Sequence, residues 1–273
     1  MQASDFSYSA LSLSVLTAVL GECILSEKMP PARVFLIQGL CMAAGIALLI
    51  VLLKTAMIRA DSLSGKGFQS KLVCSGMALW VGLELWDAVR SAQEVCREQF
   101  SSMAVLGVLP LLLWAGWQLR GAVFSRSAGV LWWTVLLAGL FFLFSLNGQL
   151  HWENLMRPAG PVSHLQFPLF AEWFLVPVEP DAAGRSFRRL WFLPLQVLLV
   201  QGGFALGMEL LFGAGTGFPG YELLRAGMIG SISRFDAAFL LVWLLLALFR
   251  ICLLVCILRE LLRRIGRTGE VPA

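Results

Sequence analysis

The stretch AAFLLVWLLLALFRICLLVCIL, residues 237–258, contains one charged side chain, Arg250, in an otherwise apolar run. A helix of about 20 such residues crosses a hydrocarbon layer of about 30 Å. Backbone N–H and C=O groups find no water there, so the segment must satisfy them itself, as a helix or within a closed barrel. The apolar residues are continuous rather than alternating, which selects the helix.

Similar runs recur along the chain. They predict clear spans at 34–53, 72–88, 104–119, 128–146, 191–212 and 237–258, and weak ones at 10–25 and 166–178. The first weak run is interrupted by Gly21 and Glu22. The second is short and holds Pro168, Glu172 and Pro177. Both read as re-entrant or broken helices, which membrane proteins accommodate where backbone lines a cavity. The predicted fold is therefore all-α, a polytopic transmembrane bundle of about eight spans in a single domain, followed by a basic tail at 259–273.

Composition agrees. Of 273 residues, 58% are hydrophobic and 14% charged, with mean hydropathy +0.79. A soluble domain carries about 25% charged residues. The net charge of +4 is spread between apolar runs, not along one face, so no nucleic-acid surface is indicated. The flank of the first run holds Asp5 and no Lys or Arg, which argues against a signal peptide.

Loop charge sets the expected orientation. With eight spans, one set of loops holds Lys54, Arg59, Lys66, Lys71, Arg120, Arg126, Arg185, Arg188, Arg189 and the tail arginines, 13 basic residues against 7 in the other set. The positive-inside bias places the first set, and both termini, in the cytoplasm. Several of the ten tryptophans, among them Trp86, Trp114 and Trp133, read as interfacial anchors.

Catalytic signatures are absent: no phosphate-binding loop, no GxSxG, no HExxH, and two histidines, His151 and His164, in one loop. Neither an enzyme nor a cofactor or metal is expected. The six cysteines form no CxxC pair and read as small apolar fillers. The informative groups are ionisable residues inside apolar runs. A charge at the bilayer centre costs at least about 2.5–3.5 kcal/mol, so it faces protein or water. Glu84 and Asp87 lie one turn apart, with Arg90 placed to pair with Asp87. Glu209 follows Gln196 and Gln201, beside glycines that admit a close helix. Glu84, Asp87, Glu209 and Glu172 are the candidate ligand- or ion-binding residues, and Arg250 is expected to snorkel or pair.

The most distinctive stretch begins at Gly213. Gly213, Gly215, Gly217, Pro219 and Gly220 cannot continue a helix cheaply. Residues 221–233 read as a short amphipathic helix, and Asp236 can cap the last span. The run Phe218-Pro219, Glu222 to Arg225, Ile229-Gly230, Arg234-Phe235-Asp236 and Trp243 resembles the carboxy-terminal signature of the spore germination permease family, the B subunits of endospore nutrient germinant receptors. Pro168 to Glu172 resembles that family's short Glu-bearing segment.

The resemblance implies membership of the amino acid–polyamine–organocation transporter superfamily, in a reduced, broken-helix LeuT-like fold. It implies sensing of a small molecule such as an amino acid, and partnership with an A-type membrane subunit and a C-type lipoprotein in the spore inner membrane. It also implies signalling or structural roles for Pro219, Arg225, Arg234, Asp236 and Trp243. A secondary transporter or ion-conducting protein is the alternative reading.

Overall fold

The computed structural model describes residues 7–25, 31–58, 68–146, 148–156, 172, 190–213, 220–226 and 236–267. Among them the regular structure is helical: α1 (Tyr8–Leu25), α2 (Ala32–Ile58), α3 (Phe68–Phe100), α4 (Ala104–Gln118), α5 (Gly121–Ser145), a 3-10 turn (Trp152–Met156), α6 (Leu193–Phe212), α7 (Tyr221–Arg225) and α8 (Asp236–Arg267). Six of these, α1, α2, α3, α5, α6 and α8, are long and apolar enough to cross a membrane. The architecture is a helical bundle of an integral membrane protein, whose outer leucines and tryptophans face lipid.

Two predicted spans differ from expectation. The first was expected to break at Gly21 and Glu22, yet α1 runs unbroken through both. Gly21 serves a close approach: a Cβ there would stand 3.1 Å from the Trp243 ring of α8. The span predicted at 104–119 forms α4, only 15 residues with Pro110 inside it, short of a regular crossing. The second weak run, 166–178, lies outside the described residues except for Glu172. Of the amphipathic helix expected over 221–233, only the five residues of α7 are helical; it ends at Arg225 with Ala226 as its C-cap, and residues 227–233 lie outside the described residues.

Side-chain contacts fix how the helices run. Against α8, α1 is antiparallel, since Ser14 lies near Arg250 through Glu172 while Gly21 meets Trp243. Helix α5 is also antiparallel to it, with Phe124 on Phe249 and Phe142 on Phe239. Helix α4 is parallel to α8: the Cys252 thiol reaches the Leu112 carbonyl and the Cys256 thiol that of Leu119. The two cysteines expected to be inert fillers thus touch carbonyls of the neighbouring helix. At Gly116, a Cβ would stand 2.7 Å from the Cys252 carbonyl, so the glycine allows α4 and α8 to touch backbone to backbone.

Helix α6 runs parallel to α1, joined by the Tyr8 hydroxyl donating to Gln196 Oε1 at 2.8 Å. It runs antiparallel to α2, where Leu198 packs on Gly39 and Phe35 on Gly202. Gly213 ends α6 at φ +84°, a left-handed conformation that glycine adopts without strain. The 3-10 turn sits at that same end of α6, because the His151 N–H and the Asn154 amide both donate to the Leu210 carbonyl at 3.0 Å. Met156 and Leu190 therefore stand at opposite ends of the bundle, and Glu172, the described residue between them, is level with Ser14 and Arg250.

The core lies between α1, α3, α6 and α8. Leu11, Leu13, Ile251, Leu253 and Leu254 are at most 1% exposed. In lipid this packing gains little from the hydrophobic effect, since the surroundings are equally apolar; close fit and interhelical hydrogen bonds hold the helices together.

Candidate functional site

Arg250 stands in the middle of the last apolar run, 8% exposed. Its guanidinium is clamped between two carboxylates from distant parts of the chain. Nε donates to Glu172 Oε1 at 2.5 Å, and Nη2 donates to Glu84 Oε2 at 2.8 Å and to Glu172 Oε2 at 3.5 Å. Ser14 on α1 donates its hydroxyl to Glu172 Oε1 at 3.0 Å. Glu172 itself is 0% exposed. Four parts of the chain thus meet at one ionic centre: α1, α3, Glu172 and α8.

The physical reason is the solvent. An unpaired arginine or glutamate in hydrocarbon is expensive, whereas a planar guanidinium can hold two carboxylates at once and leave few lone pairs unsatisfied. Such a pair adds little net stability over an apolar substitute, but breaking it strands a buried charge. The pair joins α8 to α3 and to Glu172 at one point. Glu22 on α1 also lies within electrostatic range of Arg250, Glu84 and Glu172, so carboxylates outnumber the cation here.

The remaining predicted residues divide. Glu84 and Glu172 join the centre. Glu209, 3% exposed, does not: its Oε2 accepts from the Ala32 backbone N–H at 2.6 Å. It caps the first turn of α2 from another helix, satisfying a donor that has no intrahelical partner. Asp87 is exposed and makes no pair with Arg90 among the described residues, contrary to expectation; the two side chains project apart from the core, side by side. Arg225 pairs with Glu222 at 2.9 Å and lies over the Tyr221 ring. Asp236 occupies the first turn of α8, where its charge suits the positive helix end. Trp243 is buried against Gly21, and its indole N–H has no partner among the described residues; the same holds for Gln201 Oε1. Pro219 and Arg234 lie outside the described residues.

Arg250 is the member of the centre that sequence reasoning placed least well. Its signal was its isolation, the one charge in the longest apolar run. The identity of its partners was not readable, because they lie 78 and 166 residues away.

At the other end of α4, Arg259 donates to the Trp117 and Leu119 carbonyls, capping the helix from α8. Among the described residues no group of three or more metal-ligating side chains occurs. The chain matches no family model, no curated protein and no solved structure.

Proposed function

We propose that this chain is a membrane-embedded receptor subunit of the spore germination permease type, which binds a small zwitterion such as an amino acid and answers by rearranging helices, without covalent chemistry. One observation carries the reading: Arg250 is shared by carboxylates of separate segments at the middle of the bundle. A ligand carboxylate can replace Glu84 or Glu172 on the guanidinium, and its ammonium group can take up the displaced glutamate. Exchange of that kind releases one segment from another, so binding and rearrangement are a single event. A ligand shifts such an equilibrium only as far as its affinity differs between the two arrangements.

The same reading supplies the finer topology. Helices α1 to α5, the passage between Met156 and Leu190, α6 and α8 make eight crossings, α4 completing its own with flanking residues. Both termini then lie in the cytoplasm of a spore inner membrane or bacterial cytoplasmic membrane, with Arg259, Arg263, Arg264 and Arg267 at that surface. A reduced LeuT-like arrangement, an A-type membrane subunit and a C-type lipoprotein belong to this proposal.

The test uses the full chain in proteoliposomes. A panel of amino acids, nucleosides and sugars is screened for a saturable rise in melting temperature and, in parallel, for uptake of labelled solute. The receptor reading expects a thermal shift with one ligand class, no flux, and loss of the shift in Arg250→Lys. Saturable flux would establish the transporter alternative. No shift and no flux across amino acids, nucleosides and sugars would sink both.

A further inference from the structure

Helix α8 is 32 residues long, about 48 Å at 1.5 Å per residue, and so outruns a hydrocarbon layer of about 30 Å. Its neighbours α4 and α5 stop sooner. Cys252, Cys256 and Arg259 form the stripe of α8 that faces α4, since their side chains reach the Leu112, Trp117 and Leu119 carbonyls. Helix α4 ends at Gln118, and after Leu119 and Arg120 the chain turns back as α5. Arg263 lies one turn past Arg259 on the same stripe, so it stands beyond the ends of both helices. Its side chain is 54% exposed. The α4–α5 turn is a shelf, and the last two turns of α8 are a wall beside it.

This end of the bundle is basic. Gln93 holds the first turn of α4 while Glu84 meets Arg250, so α3 is antiparallel to α8. Lys71, thirteen residues before Glu84, is then level with Arg263, thirteen after Arg250. Among the described side chains, Lys71, Arg120, Arg126, Arg259, Arg263 and Arg264 lie here with one acid, Glu260. Glu260 is shared by Arg263 at 3.8 Å and Arg264 at 3.9 Å, so it neutralises only one of them. Arg259 is committed to the carbonyl end of α4, and it thereby offsets the negative pole that would repel an anion. At the opposite end, Glu94, Glu98, Glu153, Glu222 and Asp236 accompany Arg97 and Arg225. The positive excess is therefore confined to one end.

We propose that this shelf seats the headgroup of an anionic phospholipid of the phosphatidylglycerol kind, whose phosphate is not offset by an ammonium group. Charge complementarity decides the sign of the occupant, and a guanidinium can hold two phosphate oxygens at once. Depth decides that it is a lipid. The shelf lies where the apolar run of α8 ends, after Leu258. Just beneath it, Trp114 and Trp117 are 63% and 46% exposed on the outer face of α4, and interfacial tryptophans sit at headgroup depth. A phosphate held by Arg120 and Arg263 puts the glycerol beside Trp117 and the acyl chains along that face. A zwitterionic lipid brings its own cation to a site already rich in them. The inference is independent of the ligand reading, since the shelf uses no residue of the Arg250 centre.

The experiment is native mass spectrometry of the full-length chain in non-ionic detergent, with phosphatidylglycerol and phosphatidylcholine supplied in equal amounts. Wild type is expected to retain phosphatidylglycerol at least about tenfold over phosphatidylcholine. Arg263→Gln and Arg120→Gln should each lower that preference about fivefold, and the double variant should abolish it. Arg263→Lys, which keeps the charge, should stay within about twofold of wild type, so that a loss in Arg263→Gln is read as charge and not as misfolding. Arg97→Gln, at the opposite end, should leave the preference unchanged. Millimolar glycerol phosphate, which has the phosphate but no acyl chains, should not displace the lipid. Equal retention of the two lipids by wild type, Gln variants that bind like wild type, a Lys variant as weak as the Gln one, an equal loss in Arg97→Gln, or displacement by glycerol phosphate would each overturn the proposal.

Discussion

Helices α5 and α8 are both uninterrupted, both apolar and both long enough to cross a bilayer, yet they live in different surroundings. Of the most apolar window of α8, 67% is buried inside the protein; of that of α5, 6%. Leu136, Leu137, Leu140 and Phe144 of α5 face outward, while Ile251, Leu253 and Leu254 of α8 are enclosed. Apolar content is the same currency for lipid and for protein, so it sets depth in the membrane and leaves the neighbours open. The neighbours are chosen by the few groups that lipid rejects. Helix α8 has Arg250 in mid-run; α5 has no charge after Arg126.

This contrast can be broken most forcefully at Arg250. Arg250→Leu leaves Glu172 and Glu84 buried without a cation, at an expected cost of about 3–5 kcal/mol. The yield of monodisperse protein in mild detergent should collapse. Adding Glu172→Gln and Glu84→Gln to the same variant should restore most of it. Equal yields for the single and triple variants would mean that the centre does not organise the bundle.

A smaller loss is expected where α4 meets α8. Gly116→Val places a side chain against the Cys252 carbonyl and Val255, and should lower stability by about 1–3 kcal/mol, measured as melting temperature in detergent. Glu209→Ala removes the cap on α2 and should cost about 1 kcal/mol; Glu209→Gln, which keeps an oxygen acceptor, should cost less. Glu209→Met, of similar length but without an oxygen acceptor, should cost as much as Glu209→Ala; a purely steric role would instead make it as mild as Glu209→Gln. Least of all, Leu137→Ala on the outer face of α5 should change stability by under about 0.5 kcal/mol. A large effect there would show that α5 is covered, and would remove the basis of the comparison.

Much of the bundle was legible from the sequence, because a run of apolar residues in lipid has one regular solution. The helices over 34–53, 72–88, 128–146, 191–212 and 237–258 follow from that alone. Misreadings arose where a residue has two uses. Gly21 looked like a break and is a seat for Trp243; helix-internal glycine permits close approach as readily as disruption. Asp87 and Arg90, three residues apart, invited pairing within the helix, but both project outward. In the site, Glu84 and Glu172 were identifiable as ionisable groups in apolar runs. That Arg250 joins them was not, since a long-range ion pair leaves no periodic trace. Glu209 was equally ambiguous: a carboxylate that caps a neighbouring helix and one that awaits a ligand share the same local sequence.

The placement of Arg250 after both of its acids has a consequence for biogenesis. Ribosomes deliver Glu84 and Glu172 to the insertion machinery well before their cation is made. Until α8 arrives, both acids must stay hydrated or sheltered in the translocation channel. Helix α8 therefore closes the ionic centre after its acids are already in place. Chains truncated ahead of α8 would expose stranded acids to membrane quality control.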